Sequence, residues 1–160
     1  MQQNAVGALL YLAQNADNRV TIIAAGAIPP LMQLLVPGYR SDGQGNAIIA
    51  LMCLAENAEA AVTITDAGFI PALVQLLVPG SSTQTLTNAA IALRSLARHA
   101  ANKVIITTAG AIPPLMWLLG PGSDIRAAAA AACTLELLGC SYSNVENHNV
   151  IQEMERLSFD

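Results

Sequence analysis

Gly68-Phe69-Ile70-Pro71-Ala72-Leu73-Val74-Gln75-Leu76-Leu77-Val78-Pro79-Gly80 is the middle copy of a phrase that this chain repeats. Gly26-Ala-Ile-Pro-Pro-Leu-Met-Gln-Leu-Leu-Val-Pro-Gly38 precedes it by 42 residues, and Gly110-Ala-Ile-Pro-Pro-Leu-Met-Trp-Leu-Leu-Gly-Pro-Gly122 follows it by the same distance. A period in the range of 20 to 50 residues marks a stacked array, because a unit of that size cannot bury its apolar face alone and must cover it with its neighbours. Such an array offers an extended surface rather than a closed pocket.

Working outward from the phrase, each period divides into three helical segments. The first is short, Asp17 to Ala25, Glu59 to Ala67 and Asn102 to Ala109, and each ends at a glycine, the residue that best takes the left-handed conformation closing a helix. The second carries Pro29, Pro71 or Pro113 in its first turn, where a missing N–H costs nothing, and stops at Pro-Gly. The third is the longest. Its capping candidates are Ser41 or Asp42, Ser81 or Ser82, and Ser123. Apolar residues then fall at helical spacing: Ile48, Leu51, Leu54; Ala90, Leu93, Leu96; Ala132, Leu135, Leu138. No stretch alternates with a period of two between hairpin turns, so no sheet is expected. The expected fold is all-α, one domain over 1–160, with full repeats at 17–57, 59–99 and 101–140.

The two ends differ from the repeats. Residues 1–15 match a third helix alone, whose Val6, Leu9, Leu10 and Leu12 would lack a neighbour on the amino side. Residues 144–157 match a first helix, with Glu146, Glu153, Glu155 and Arg156 suited to a polar cap. An apolar strip at the open edge implies either an array that continues or packing against another copy as a homo-oligomer.

Composition narrows the function classes. Hydrophobic residues are 54% and charged residues 11%, yet the least polar stretch, Val20 to Val36, is broken by Gly26 and Pro29-Pro30. The apolar run at 127–132 is far short of the roughly 20 residues a spanning helix needs. Met1-Gln2-Gln3-Asn4 has neither the basic start nor the cleavage site of a leader. With seven Lys plus Arg and a net charge of −4, the basic stripe of a nucleic-acid binder is missing. Cys133 and Cys140 are seven residues apart on one predicted helix, about 10 Å along its axis, too far for a disulfide. Reduced thiols in a cytoplasmic or nuclear protein follow. Neither His99 nor His148 stands at zinc-ligand spacing from a cysteine. No Gly-rich phosphate loop with lysine and no Gly-x-Ser-x-Gly is present, so neither an enzyme activity nor a cofactor is expected.

The residues that carry the repeat, Ala67-Gly68-Phe-Ile-Pro-Ala-Leu-Val-Gln-Leu-Leu77 and Ala92-Leu-Arg-Ser-Leu-Ala97, resemble the armadillo repeat. The resemblance implies a right-handed superhelix whose third helices line a concave groove that holds an extended peptide. In the family's peptide carriers that helix presents a tryptophan and, one turn later, an asparagine. Here the tryptophan positions hold Gly7, Ile49, Ile91 and Cys133, and the asparagine positions hold Tyr11, Cys53, Ser95 and Leu137. Both ladders are missing, which speaks against a nuclear transport carrier.

One face of the third helix, taken at i, i+3, i+7 and i+10, reads Asn4, Gly7, Tyr11, Gln14; Asn46, Ile49, Cys53, Glu56; Asn88, Ile91, Ser95, Arg98; and Ala130, Cys133, Leu137, Cys140. Met52, Arg94 and Glu136 lie beside it. This lining suits a protein partner with apolar anchors at Ile49, Met52, Ile91 and Leu137, oriented by Arg94, Arg98, Glu56 and Glu136. Asn4, Asn46 and Asn88 recur in step, and an amide can both donate to and accept from a ligand's peptide group. The alternative is that they are solvated or bond within their own helix. Trp117, in a second helix, is expected on the convex side. The sequence thus points to a non-catalytic protein-binding scaffold. The substrate-binding portion of a ubiquitin ligase is the alternative.

Overall fold

The computed structural model describes the backbone of residues 2–36 and 41–140, and the side chains of residues 5–36 and 43–140. Within them the chain is helical throughout: α1 (Gln2–Ala13), α2 (Ala16–Ala24), α3 (Ile28–Gln33), α4 (Ser41–Leu54), α5 (Ala58–Asp66), α6 (Phe69–Leu76), α7 (Thr83–Leu96), α8 (Ala100–Thr108), α9 (Ile112–Leu118) and α10 (Ile125–Leu137). No strand occurs among the described residues, and none of the helices is long and apolar enough to cross a membrane.

Three apolar ladders with the 42-residue period build the core. Leu51 and Leu93 on the third helices, with Leu135 on α10, are each 0% exposed; Leu31, Leu73 and Leu115 on the second helices are at most 2% exposed. Ile22, Ile64 and Ile106 form the first-helix ladder. Each such side chain removed from water contributes about 1.5–3 kcal/mol. The repeat is therefore held by a continuous strip rather than a central ball. The third helices pack in sequence order, α1 on α4, α4 on α7 and α7 on α10, and these are the most extensive helix contacts. This row carries the residues expected to line a groove.

The turns follow the local chemistry. Gly26, Gly68 and Gly110 have φ of 74°, 84° and 77°, the left-handed region that reverses the chain between first and second helix. Ser82 caps α7 by accepting from the Thr85 N–H at 3.1 Å. The cap of α10 is Asp124 rather than the expected Ser123: its Oδ1 accepts from the N–H of Arg126 at 3.0 Å and of Ala127 at 3.2 Å. A carboxylate is the better choice there, since the helix N-terminus carries partial positive charge. The side chains of Ser41 and Asp42 lie outside the described residues, as does the segment 144–157 expected to form a terminal helix.

The first helices have caps that the residue pattern does not announce. Asn15 accepts from the N–H of Asp17 and Asn18, and Asn57 from that of Ala60. Asn18 and Asn102, two repeats apart, donate back to the carbonyls of Leu12 and Leu96 at the ends of α1 and α7. These bonds tie α2 to α1 and α8 to α7; the equivalent position on α5 is Ala60, which has no side-chain amide to donate.

The expected apolar strip on α1 is smaller than the sequence suggests. Val6 is 6% exposed, and Leu9 and Leu10 pack against the core. Among the described side chains of α1 only Tyr11 and Leu12 are large, apolar and exposed. The packing of α1 on α4 accounts for the difference.

Candidate functional site

The residues expected to line a groove lie on α4, α7 and α10 or just past their ends, beside the buried leucines of the same helices. Ile49, Met52 and Cys53 on α4, Ile91, Arg94 and Ser95 on α7, and Leu137 on α10 are all half-buried. Glu56, Arg98 and Glu136 are exposed. Ala130, which the helical spacing also puts on this file, is 0% exposed and lines nothing. It is enclosed because α7 and α10 approach closely along a run of alanines, Ala127 to Ala132, every one of them buried.

Asn46 and Asn88 are half-buried, and the Asn88 amide bonds outside its own helix. Its Nδ2 donates to the carbonyl oxygen of Gly45, across the α4–α7 contact, at 3.0 Å. It is a staple between neighbouring third helices. The Asn46 amide lies 3.8 Å from where a Cβ on Gly7 would stand, so it too sits against the preceding helix. The side chain of Asn4 is outside the described residues.

Charge along these helices is unevenly placed. Arg19 on α2 sets its Nη1 2.6 Å from Glu56 Oε2 and also donates to the Ala13 carbonyl. Glu56 is thus compensated from another helix, a pairing that the sequence does not mark because the two residues share no periodic signal. The pair bears on Cys53. Burial pushes that thiol up from its ordinary value, and Glu56 adds to the effect while Arg19 opposes it. Burial also raises Cys133, opposed by Arg94 and Arg98 and reinforced by Glu136. All three cysteines are free thiols, each half-buried.

Trp117 is 42% exposed. It lines a cleft of about 270 Å³ with Leu86, Pro121, Ser123, Asp124 and Ala127, away from the groove file. His99 is exposed and is the N-cap residue of α8 without a side-chain cap bond; His148 is outside the described residues. Among the described residues no three His, Cys, Asp or Glu side chains are grouped as a metal ion would require.

The armadillo/beta-catenin-like repeat model matches residues 57–98. No curated protein sequence matches the chain. Among solved structures, an engineered protein is 29% identical with a TM-score of 0.74, over 99% of this chain and 66% of that one. A computationally designed armadillo repeat protein for modular peptide recognition is 25% identical with a TM-score of 0.72, over 96% and 63%. A designed armadillo repeat protein in complex with the peptide (KR)4 shares the fold at 24% identity and a TM-score of 0.71, over 96% and 62%. The chain spans under two thirds of the length of these structures.

Proposed function

We propose that this chain, an armadillo-repeat protein by its family match and its fold, is a non-catalytic scaffold that holds a segment of a partner protein along the groove of its third helices. The observation that carries this reading is the exposure pattern of α4, α7 and α10. Fully buried Leu51, Leu93 and Leu135 sit beneath half-exposed Ile49, Ile91 and Leu137, a row of apolar anchor points at the repeat spacing. Apolar side chains left partly open in register are what an extended partner needs for affinity, with polar neighbours setting its orientation. The designed relative built for modular peptide recognition supports the same use of the surface.

With its thiols reduced, the chain would work in the cytoplasm or nucleus.

The test is selection from a random dodecapeptide library displayed on phage, with the wild-type chain and with Ile49→Glu/Ile91→Glu as bait. Both isoleucines are half-exposed, so the variant keeps its fold, which circular dichroism checks. Enrichment of peptides on the wild-type chain and its loss on the variant supports the groove. Enrichment that survives the substitutions places the partner elsewhere.

A further inference from the structure

Trp117 stands where the other two copies of the second helix have Gln33 and Gln75, and it is 42% exposed. The helix folds with glutamine there, so packing does not demand an aromatic. The indole lines a cleft of about 270 Å³ between α7, α9 and the turn that leads into α10. Leu86 and Pro121 supply further apolar surface, and Thr83, Ser123 and Asp124 supply polar groups.

The shape of the cleft belongs to this repeat. The Gly120 N–H donates to the Trp117 carbonyl at 3.0 Å, and a Cβ on Gly120 would stand 3.1 Å from that oxygen. Glycine therefore allows the tight turn that brings Pro121 to the same cleft as the indole. One repeat earlier the corresponding places hold bulkier residues, Val78 for Gly120 and Thr85 for Ala127. There the Ser81 hydroxyl also donates to the Leu76 carbonyl at 2.7 Å. Ser123, at the repeat position of Ser81, makes no such bond among the described residues.

Two features of the lining select a ligand. Among the described residues neither the Trp117 indole N–H nor the hydroxyls of Thr83 and Ser123 makes a hydrogen bond, so donors stand ready. The charge of Asp124, by contrast, is already met. Its Oδ1 accepts from the Thr87 hydroxyl and from the N–H of Arg126 and Ala127, and the Arg126 guanidinium lies 3.8 Å away. A cation has little to gain there. A proline-rich segment matches this set: proline has no N–H to satisfy, and the polyproline II conformation leaves every carbonyl open as an acceptor. Such a segment is ordered before it binds, and an exposed indole gives it a flat apolar face with a donor at the edge. The cleft falls below the roughly 300–1,000 Å³ of sites for drug-sized ligands, so it has room for a short stretch of such a chain rather than a free cofactor.

We propose that this cleft is a second binding site, apart from the groove proposed above, and that it takes a proline-rich segment of a partner protein. The prolyl rings lie on Trp117 and Pro121, and the segment's carbonyls accept from the indole N–H and from the Thr83 and Ser123 hydroxyls.

Trp117 is the only tryptophan of the chain, so the single indole N–H signal in a nitrogen–proton NMR spectrum reports on the site. The probe is acetylated, amidated decaproline, with a glycine–serine decapeptide as its control. Decaproline should move the indole signal saturably as the N–H gains an acceptor, and the control should leave it in place. For the variants, affinity is read from the backbone amide signals of the turn around Gly120, and circular dichroism checks each fold. Trp117→Phe keeps a ring and removes the donor, and should weaken binding about fivefold. Trp117→Gln installs the residue of the other copies and should abolish it. Ile49→Glu/Ile91→Glu, which disables the groove, should leave decaproline bound as tightly as before. Decaproline held equally well by Trp117→Gln, or lost with the two isoleucines, overturns the site. So does an indole signal that responds alike to both peptides or to neither.

Discussion

The Asn88 side-chain amide donates a 3.0 Å hydrogen bond to the Gly45 carbonyl oxygen, joining the middles of two neighbouring third helices. The bond needs the glycine. A Cβ on Gly45 would stand 3.1 Å from Asn88 Nδ2 and 3.0 Å from Gln84 Cγ. Gln84 is exposed and can swing away, but Asn88 cannot move without giving up its bond. Two effects of similar size then oppose each other at Gly45: alanine favours the helix by about 1 kcal/mol, and the displaced hydrogen bond costs about 1 kcal/mol. Gly45→Ala should leave the urea midpoint nearly unchanged, while Asn88→Ala alone lowers stability by about 1 kcal/mol. In the double variant the helix gain returns without the clash. The cycle should show a favourable coupling of about 1 kcal/mol, and strict additivity would mean that the two residues do not share this contact.

His99 stands where Asn15 and Asn57 cap the earlier first helices. Its backbone, at φ −94° and ψ 127°, matches theirs at −89° and 130° and at −81° and 126°, but it makes no side-chain cap bond. The site is already shaped for a short polar side chain. His99→Asn should therefore stabilise the chain by about 1 kcal/mol, and Asn57→Ala should cost about the same. Thermal melts read both, and a fall in midpoint for His99→Asn would show that the imidazole has a role the cap bonds do not explain.

The Arg19–Glu56 pair contributes little to stability but a good deal to local chemistry. Glu56 is largely exposed, so the pair is worth less than about 1 kcal/mol. Burial chiefly holds the Cys53 thiol up, and the charge of Glu56 adds to it. Glu56→Gln removes a negative charge beside the thiolate, so Cys53 should react faster with a disulfide reagent at pH 8 while the urea midpoint moves by less than about 1 kcal/mol. Arg19→Gln removes the opposing charge and should slow it. Mass spectrometry of the labelled peptides distinguishes Cys53 from the other two thiols.

Much of the fold is legible in the residues themselves, and the reason lies in the period. Leu51, Leu93 and Leu135 recur in the same helical register, and each Gly-x-Ile-Pro phrase fixes one turn and the start of one buried helix. Repetition makes a weak local signal strong. What stays hidden depends on distances between elements. Ser123 and Asp124 are both good caps, and the choice falls to Asp124 because the chain leaves the left-handed Gly122 and enters the extended conformation at 124. The recurrence of Asn46 and Asn88 is visible, but whether an amide meets a ligand or a neighbour is decided by how closely Gly45 lets α7 approach. Arg19 and Glu56 have no periodic counterparts, so nothing in the sequence marks them as a pair. The half-buried positions on α4, α7 and α10 follow from helical spacing, whereas their compensation, charge by charge, does not.

The raised thiols also set a pH dependence whose sign can be worked out. In the unfolded chain Cys53 and Cys133 titrate near the ordinary value of 9.0; in the folded chain both hold their protons to higher pH, chiefly through burial. Below 9 both states are protonated and the thiols contribute their full share of stability. Above it the unfolded chain loses its thiol protons first, so unfolding is favoured as pH rises through the folded-state values. The urea midpoint should hold steady from pH 7 to about 8 and then fall toward pH 10. A Cys53→Ala/Cys133→Ala variant should start lower, because two half-buried side chains have been shortened, and yet fall less steeply over the same interval. Were the two curves parallel, the alkaline loss would belong to groups other than these half-buried thiols.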